Sequence, residues 1–356
     1  MDHIKGRGAQ SNPPNRFERL HLEPEESGEY EEYGFEKSVK KVETNFFKDD
    51  SQSVISRNNS EDLYFNLSVN PYRGCEHGCI YCYARPSHEY LGFSSGIDFE
   101  TKIMVKNNAP ALLAEFFKNK YYKPETIVFS GNTDCYQPVE RKLKITRRLL
   151  EICCDYGNPV NIITKNALIT RDTDILEKMA AKNIVSVMLS IPSLDPKLTR
   201  IMEPRTSGPG RRLDTVSELN KKKIPVGINI APIIPGLTDK EIPSILKAAA
   251  KAGAGFAARE MLRLPYSVKD LFLNWLSENL PERADKIIGQ IKQIRNGKMN
   301  ESAPGKRFTG EGELARTINN LFEISCKKYG IKRRGPGLST ENFGRDKNLQ
   351  FNLFNS

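Results

Sequence analysis

The sequence predicts an α/β protein built as an open (β/α)6 barrel of partial TIM type, with an irregular N-terminal lead-in and a helical C-terminal extension. Three observations lead there. From about residue 65, six short β-branched runs alternate with helix-like stretches, a pattern that implies a parallel sheet joined by helical crossovers. Residues 1–60 are polar, with scattered Pro, Asn and Ser and a Glu-rich stretch at 23–36, while beyond 265 the strand signals stop. The unusual residue groupings, finally, follow directly on the strand-like runs, where parallel α/β architectures gather reactive groups. The chain divides accordingly into a lead-in (1–60), a barrel (61–265) and an extension (266–356).

The strand-like runs are 66–70, 126–130, 160–164, 185–191, 226–231 and 255–259. Helical periodicity predicts helices at 109–120, 140–155, 172–182, 213–222 and 239–252. Thr238 with Glu241 has the spacing of a capping box for the last of these. Gly157, Asn158-Pro159 and Gly253 supply stops. The extension reads as helices at 268–280, 284–296 and 312–329, and 327–334 forms a basic tail ahead of Gly335-Pro336-Gly337.

No apolar run approaches the roughly 18 residues that span a bilayer. Met1-Asp2-His3-Ile4-Lys5 lacks the apolar segment of a secretory signal. A cytoplasmic protein without a membrane partner is expected. Seven cysteines in such a chain, an odd number with three tightly grouped, point to a metal or to catalysis rather than to disulfides. Charge is uneven. Residues 1–65 hold 9 Lys/Arg against 14 Asp/Glu, a balance of −5, so the other 291 residues carry +15 of the net +10. A polyanionic partner such as nucleic acid fits that excess, as does plain solubility.

The first strand runs into Pro71-Tyr72-Arg73-Gly74-Cys75-Glu76-His77-Gly78-Cys79-Ile80-Tyr81-Cys82. The C-x3-C-x2-C spacing lets Cys75, Cys79 and Cys82 ligate three irons of a [4Fe–4S] cubane and leaves the fourth iron without a protein ligand. The amino and carboxylate groups of S-adenosylmethionine (SAM) can chelate that iron. Zinc, with His77 or His88 as fourth ligand, is the competing reading, yet neither paired C-x2-C units nor helical His spacing occurs. A redox C-x2-C at Cys79 and Cys82 leaves Cys75 unexplained. Cys153, Cys154 and Cys326 sit among apolar helical positions and read as small core residues.

The cysteine spacing and its position after a strand resemble the radical SAM superfamily, whose core is a (β/α)6 barrel. Asn70-Pro71-Tyr72-Arg73-Gly74-Cys75, Cys82-Tyr83-Ala84-Arg85, Gly96-Ile97-Asp98-Phe99-Glu100-Thr101-Lys102 and Thr133-Asp134 look like its spore-photoproduct-lyase-like group, often labelled "DNA repair photolyase". The likeness runs from Gly6-Arg7-Gly8 and Asn12-Pro13-Pro14-Asn15-Arg16-Phe17 to about residue 265.

The resemblance implies that Tyr81 contacts the adenine of SAM. Ser130-Gly131-Asn132-Thr133-Asp134 stands where the family has a Gly-Gly-Glu-type segment, without the standard Glu. Ser130, Gly131, Thr133 and Asp134 would accept from the SAM ammonium. Lys165, ending the third strand, would meet the SAM carboxylate. Ser190 would touch the amino group or ribose, Arg205 would pair a carboxylate or phosphate, and Asn229 would contact the ribose. Cys135 is the candidate hydrogen donor to a substrate radical, a role a cysteine plays in spore photoproduct lyase. Related sequences usually read Thr-Asp-Pro-Tyr-Gln-Pro here, so a local substitution in a turn is the favoured reading of Cys135.

Three functions follow. The favoured one is a radical SAM enzyme that cleaves SAM reductively to a 5′-deoxyadenosyl radical and acts on nucleic acid, in lyase-like repair or modification, with a flavodoxin- or ferredoxin-type electron donor. The second acts on a protein, peptide or small molecule instead. The third is a non-enzymatic iron–sulfur or zinc module that binds nucleic acid. SAM cleavage separates the third from the others, and nucleic-acid affinity separates the first two. With one tryptophan, Trp275, and no flavin fingerprint, nothing supports light-driven chemistry.

Overall fold

The structure, a computed structural model, describes residues 3–18 and 39–345; the Glu-rich stretch lies outside them. Six strands form the barrel wall: β1 (Leu67–Val69), β2 (Ile127–Phe129), β3 (Val160–Thr164), β4 (Val185–Ser190), β5 (Val226–Ile233) and β6 (Phe256–Met261). They pair in chain order and all in parallel. Every residue of β4 is buried, as expected for a parallel strand covered on both faces. Crossover helices Ala109–Lys118, Ile145–Tyr156, Thr173–Ala181, Pro209–Lys221 and Ile242–Ala252 lie between successive strands.

The barrel is open, and both sheet edges are covered. Ile55–Arg57 pairs antiparallel with β1. At the other edge Lys332 bridges Phe256, accepting from Ala257 N at 2.8 Å and donating to Gly255 O at 3.1 Å. The expected basic tail is therefore part of the fold. Its first residues end the helix Gly312–Lys328, Ile331 is buried, and Arg333 pairs with Glu323 and lies 4.7 Å above the Phe322 ring. Edge backbone groups need partners, and this segment supplies them.

Two local expectations change. The capping box does not form: Glu241 accepts instead from Ser193 Oγ and Leu194 N, both at 2.7 Å, and Thr238 Oγ1 accepts from Ile234 N. The carboxylate satisfies the loop after β4 rather than its own helix, which starts as a 3-10 turn at Asp239–Glu241. The stretch 140–155 is two helices, Glu140–Leu143 and Ile145–Tyr156, joined at Lys144 with φ 52°. Glu140 folds back to accept from Thr146 N at 3.0 Å and so caps the second helix.

The lead-in contributes short strands to otherwise irregular chain. Asn45–Lys48 pairs in parallel with Lys102–Val105, which pairs antiparallel with Tyr72–Arg73. This second sheet ends at Gly74, where the cysteine loop begins. The extension is helical as expected, with Val268–Asn279, Pro281–Gln293 and Gly312–Lys328. A separate apolar cluster joins Cys79, Ile80 and Tyr81 of the cysteine loop to Met202, Leu262, Phe272 and Trp275. Trp275 is thus a core residue, its indole donating to Ile201 O at 3.1 Å.

Candidate cofactor site

Cys75 donates its backbone N–H to Phe99 O at 2.9 Å, and Ile80 donates to Met202 O at 3.0 Å, so the loop is anchored on both sides. Cys75 and Cys79 are buried and Cys82 half-buried, all three free and lining one cavity at the C-terminal ends of the barrel strands. Burial, reinforced by Cys75, pushes the Cys82 thiol up to about 11, and burial with Glu203 pushes the Cys79 thiol well above its ordinary value. Thiolates crowded in this way are stabilised by a cationic metal. Among the described residues no three His, Cys, Asp or Glu side chains converge on one ion. Thiolates that each take a different iron of a cluster have no need to converge, so the donor set fits a cubane better than a zinc ion. Nor do the histidines suit zinc. Both ring nitrogens of His77 are engaged, Nδ1 with Asp134 at 3.4 Å and Nε2 with Asn166 at 3.3 Å, and His88 is buried against Phe93 and Phe99.

The loop is strapped from outside by the early glycines. Gly8 N and Ala9 N donate to the Glu100 carboxylate at 3.0 and 2.8 Å, and Arg85 pairs with the same buried group at 2.5 Å. A side chain at Gly8 would collide with the Gly78 carbonyl between two cysteines. Arg7 adds a bond to Glu100 O at 2.9 Å and reaches Val42 O and Thr44.

Most of the expected cofactor residues meet in this cavity. Tyr81, Ser130, Thr133, Asp134, Lys165, Ser190 and Asn229 all line it. The Asn229 Oδ1 atom is buried without a hydrogen-bond partner, while its Nδ2 donates to Glu260 at 3.3 Å. A buried lone acceptor facing a cavity calls for a donor from a ligand. Lys165 Nζ donates to Ala231 O at 3.1 Å and stands 5.7 Å above the Tyr81 ring centroid. Burial draws its pKa down to about 8 although the Cys79 thiolate opposes this.

The segment after β2 is engaged differently from expectation. Asp134 accepts from Thr164 Oγ1, Tyr136 N and Lys165 N at 2.8–2.9 Å. Burial works against its ionisation, yet His77 holds its pKa below the ordinary range. Thr133 Oγ1 donates to Tyr72 O at 2.7 Å, and Ser130 Oγ accepts from Cys135 N at 2.8 Å. These oxygens organise the turn itself.

Three candidate residues stand outside the cavity lining. Gly131 is outside the cavity lining and packs on Ser68, its carbonyl accepting from Tyr83. Arg205 is also outside it and pairs with Glu76 at 3.2 Å, bracing the cysteine loop, because Glu76 is the buried carboxylate within its reach. Cys135 is wholly buried in the main core, away from the cavity lining, its thiol raised well above the usual value by burial and Asp134. The turn directs it inward, so the geometry gives no support to a hydrogen-donor role.

Sequence reasoning missed Glu203 and Arg212. Glu203 is fully buried and accepts from Tyr81 Oη, Lys165 and Arg212. Arg212 also donates to Ser190 O at 2.6 Å and Ser207 O at 2.7 Å. The Glu203-Pro204-Arg205 run was the available signal, but it drew attention to Arg205.

The family model of the Radical SAM superfamily matches residues 69–249. The chain belongs to the radical SAM superfamily. An iron–sulfur cluster and SAM go with membership of that superfamily. Uncharacterised proteins of Mycobacterium bovis and Mycobacterium tuberculosis are each 35% identical over 226 residues, 63% of this chain and 66% of theirs. The chain thus spans just under two thirds of those relatives. An uncharacterised protein of Methanocaldococcus jannaschii is 31% identical over 219 residues, 62% of this chain and 78% of that protein. Among solved structures, a spore photoproduct lyase complexed with dinucleoside spore photoproduct superposes with a TM-score of 0.57 at 14% identity, covering 81% of both chains. A mutant of that lyase with bound AdoMet and dinucleoside spore photoproduct gives 0.56 at 14% identity, covering 81% of this chain and 80% of the other. At such identity the likeness is one of fold. Among the described residues no helix is long and apolar enough to cross a membrane.

Proposed function

We propose that Cys75, Cys79 and Cys82 hold a [4Fe–4S] cluster and that the enzyme acts on nucleic acid. When cluster and SAM are bound, one electron passed into SAM breaks its S–C5′ bond and yields methionine and a 5′-deoxyadenosyl radical. The observation that carries the cofactor reading is that the three cysteines, Lys165 and the orphaned Asn229 oxygen line one cavity. Lys165 would meet a carboxylate there and the Asn229 oxygen a hydroxyl donor. Tyr81, held through Glu203, presents its ring to the same space.

Nucleic acid as substrate is supported by the +15 balance outside the first 65 residues and by the shared fold of a lyase whose complex contains a dinucleoside photoproduct. The proposal includes a cytoplasmic setting and a flavodoxin- or ferredoxin-type electron donor. Anaerobic reconstituted protein should form 5′-deoxyadenosine from SAM under reduction, and single- or double-stranded DNA or RNA should increase it. Absence of both stimulation and binding at about 50 mM salt, where phosphate contacts are strong, would move the substrate to a protein, peptide or small molecule.

A further inference from the structure

Past β6, Arg263 lines the same cavity, beside the Tyr83 that follows Cys82. Its guanidinium lies 5.1 Å from the Tyr83 ring centroid and 4.9 Å from that of Phe308. Arg307 covers Phe308 in turn, also at 4.9 Å. Guanidinium and aromatic groups thus alternate from the cavity outward. Their bonding is unequal. Arg307 is tied to Asp62 at 2.7 Å and reaches Ser60. Arg295 donates to Lys306 O, Leu262 O and Arg307 O at 2.7–3.0 Å. Arg263 makes no such bond to any described residue. Glu260, on the same wall, accepts instead from Asn229.

A half-buried cation without a hydrogen-bond acceptor is costly. Here burial lowers the Arg263 pKa and Arg307 adds repulsion. The flanking rings fix the guanidinium plane and leave its N–H edge unused. We propose that this edge is a substrate subsite that receives a phosphodiester oxygen of nucleic acid next to the reacting nucleotide. This deepens the nucleic-acid reading and rests on it. A phosphodiester oxygen suits the place because Arg307 and Arg295 are already bonded within the chain, while Arg263, repelled by Arg307, keeps a guanidinium edge for an anion. Arg also matches two oxyanion oxygens at once, which Lys does not.

The test is fluorescence anisotropy of short labelled single-stranded DNA across a salt series, with iron content and SAM affinity measured on the same samples. Arg263→Gln should weaken DNA binding by about tenfold and flatten the log–log salt slope by about 0.7, the share of one phosphate on a single strand. Arg263→Lys, which guards against a folding loss, should keep the slope but still bind severalfold more weakly. DNA binding by Arg263→Gln with the wild-type slope would overturn the subsite and leave the nucleic-acid reading standing. A fall in SAM affinity with unchanged DNA binding would put Arg263 in the cofactor site instead. Failure of the wild-type protein to bind DNA would remove the nucleic-acid reading and the subsite together.

Discussion

Lys165 Nζ stands 3.2 Å from Glu203 Oε1, while Arg212 holds the other oxygen of that same buried carboxylate. One anion thus serves two cations, and it also takes the Tyr81 hydroxyl. Burial raises the Glu203 pKa, with Arg212 resisting. The position of Tyr81 and Lys165, both proposed to meet SAM, therefore depends on a side chain with no place in the cavity lining.

Glu203→Gln leaves both buried cations without their counter-charge, which should cost about 3–5 kcal/mol of stability. SAM affinity should fall about tenfold, the scale of one charge-assisted hydrogen bond. Denaturant melts and calorimetric titration read the two effects. Adding Lys165→Met to Glu203→Gln should restore part of the stability by removing one orphaned charge. A Glu203→Gln protein with wild-type stability would show that the network is not coupled.

Anaerobically prepared protein should be brown and hold about four irons per chain, and Ala at Cys75, Cys79 or Cys82 should abolish the cluster. Ala at Cys153, Cys154 or Cys326, outside the cavity lining, should leave iron content unchanged. Cys135→Ala should also keep cluster, SAM cleavage and substrate turnover. Iron analysis and 5′-deoxyadenosine assays decide this. Full iron loading of Cys79→Ala would remove the ligand assignment, and SAM cleavage without turnover in Cys135→Ala would make that thiol catalytic.

Gly8→Ala should loosen the cysteine loop, since the added methyl meets the Gly78 carbonyl and approaches Glu100. The expected result is lower iron content and faster iron loss to a chelator than in the wild type. Equal retention in both proteins would show that the strap does not support the loop.

His88 provides an acid limit. Burial between Phe93 and Phe99 pulls its pKa to about 4, against roughly 6.5 in the unfolded chain. Between those values the unfolded chain takes up a proton that the folded chain refuses. Stability is therefore complete above about pH 6.5 and declines as pH falls towards 4, by on the order of 3 kcal/mol. Melting temperatures at pH 7 and pH 5 should differ more for the wild type than for His88→Phe. Parallel pH dependence in the two proteins would place the acid sensitivity elsewhere.

The barrel was legible because parallel strands and crossover helices impose separate periodicities, and each of the six runs overlaps a barrel strand. The three cysteines proposed as ligands were legible because their spacing lies within one loop. Thr238 and Glu241 show where local pattern fails: the predicted pair was available, but Ser193 and Leu194 offered the carboxylate a better partner from a distant loop. Cys135 shows the same for a site. Its place beside Asp134 suggested the cavity, and the turn directed it into the core.

By itself the sequence determined the strand and helix succession, the open (β/α)6 class, the three cysteines and the side of the sheet on which chemistry gathers. Those properties depend on residues near one another in the chain. Tertiary structure alone decided that Glu203 binds Lys165 and Arg212, that Arg205 braces Glu76, and that Arg263 lies between Tyr83 and Phe308. Such pairings depend on which buried charge finds a partner once the strands are stacked, because an unpaired charge in the interior costs more than any local preference can offset.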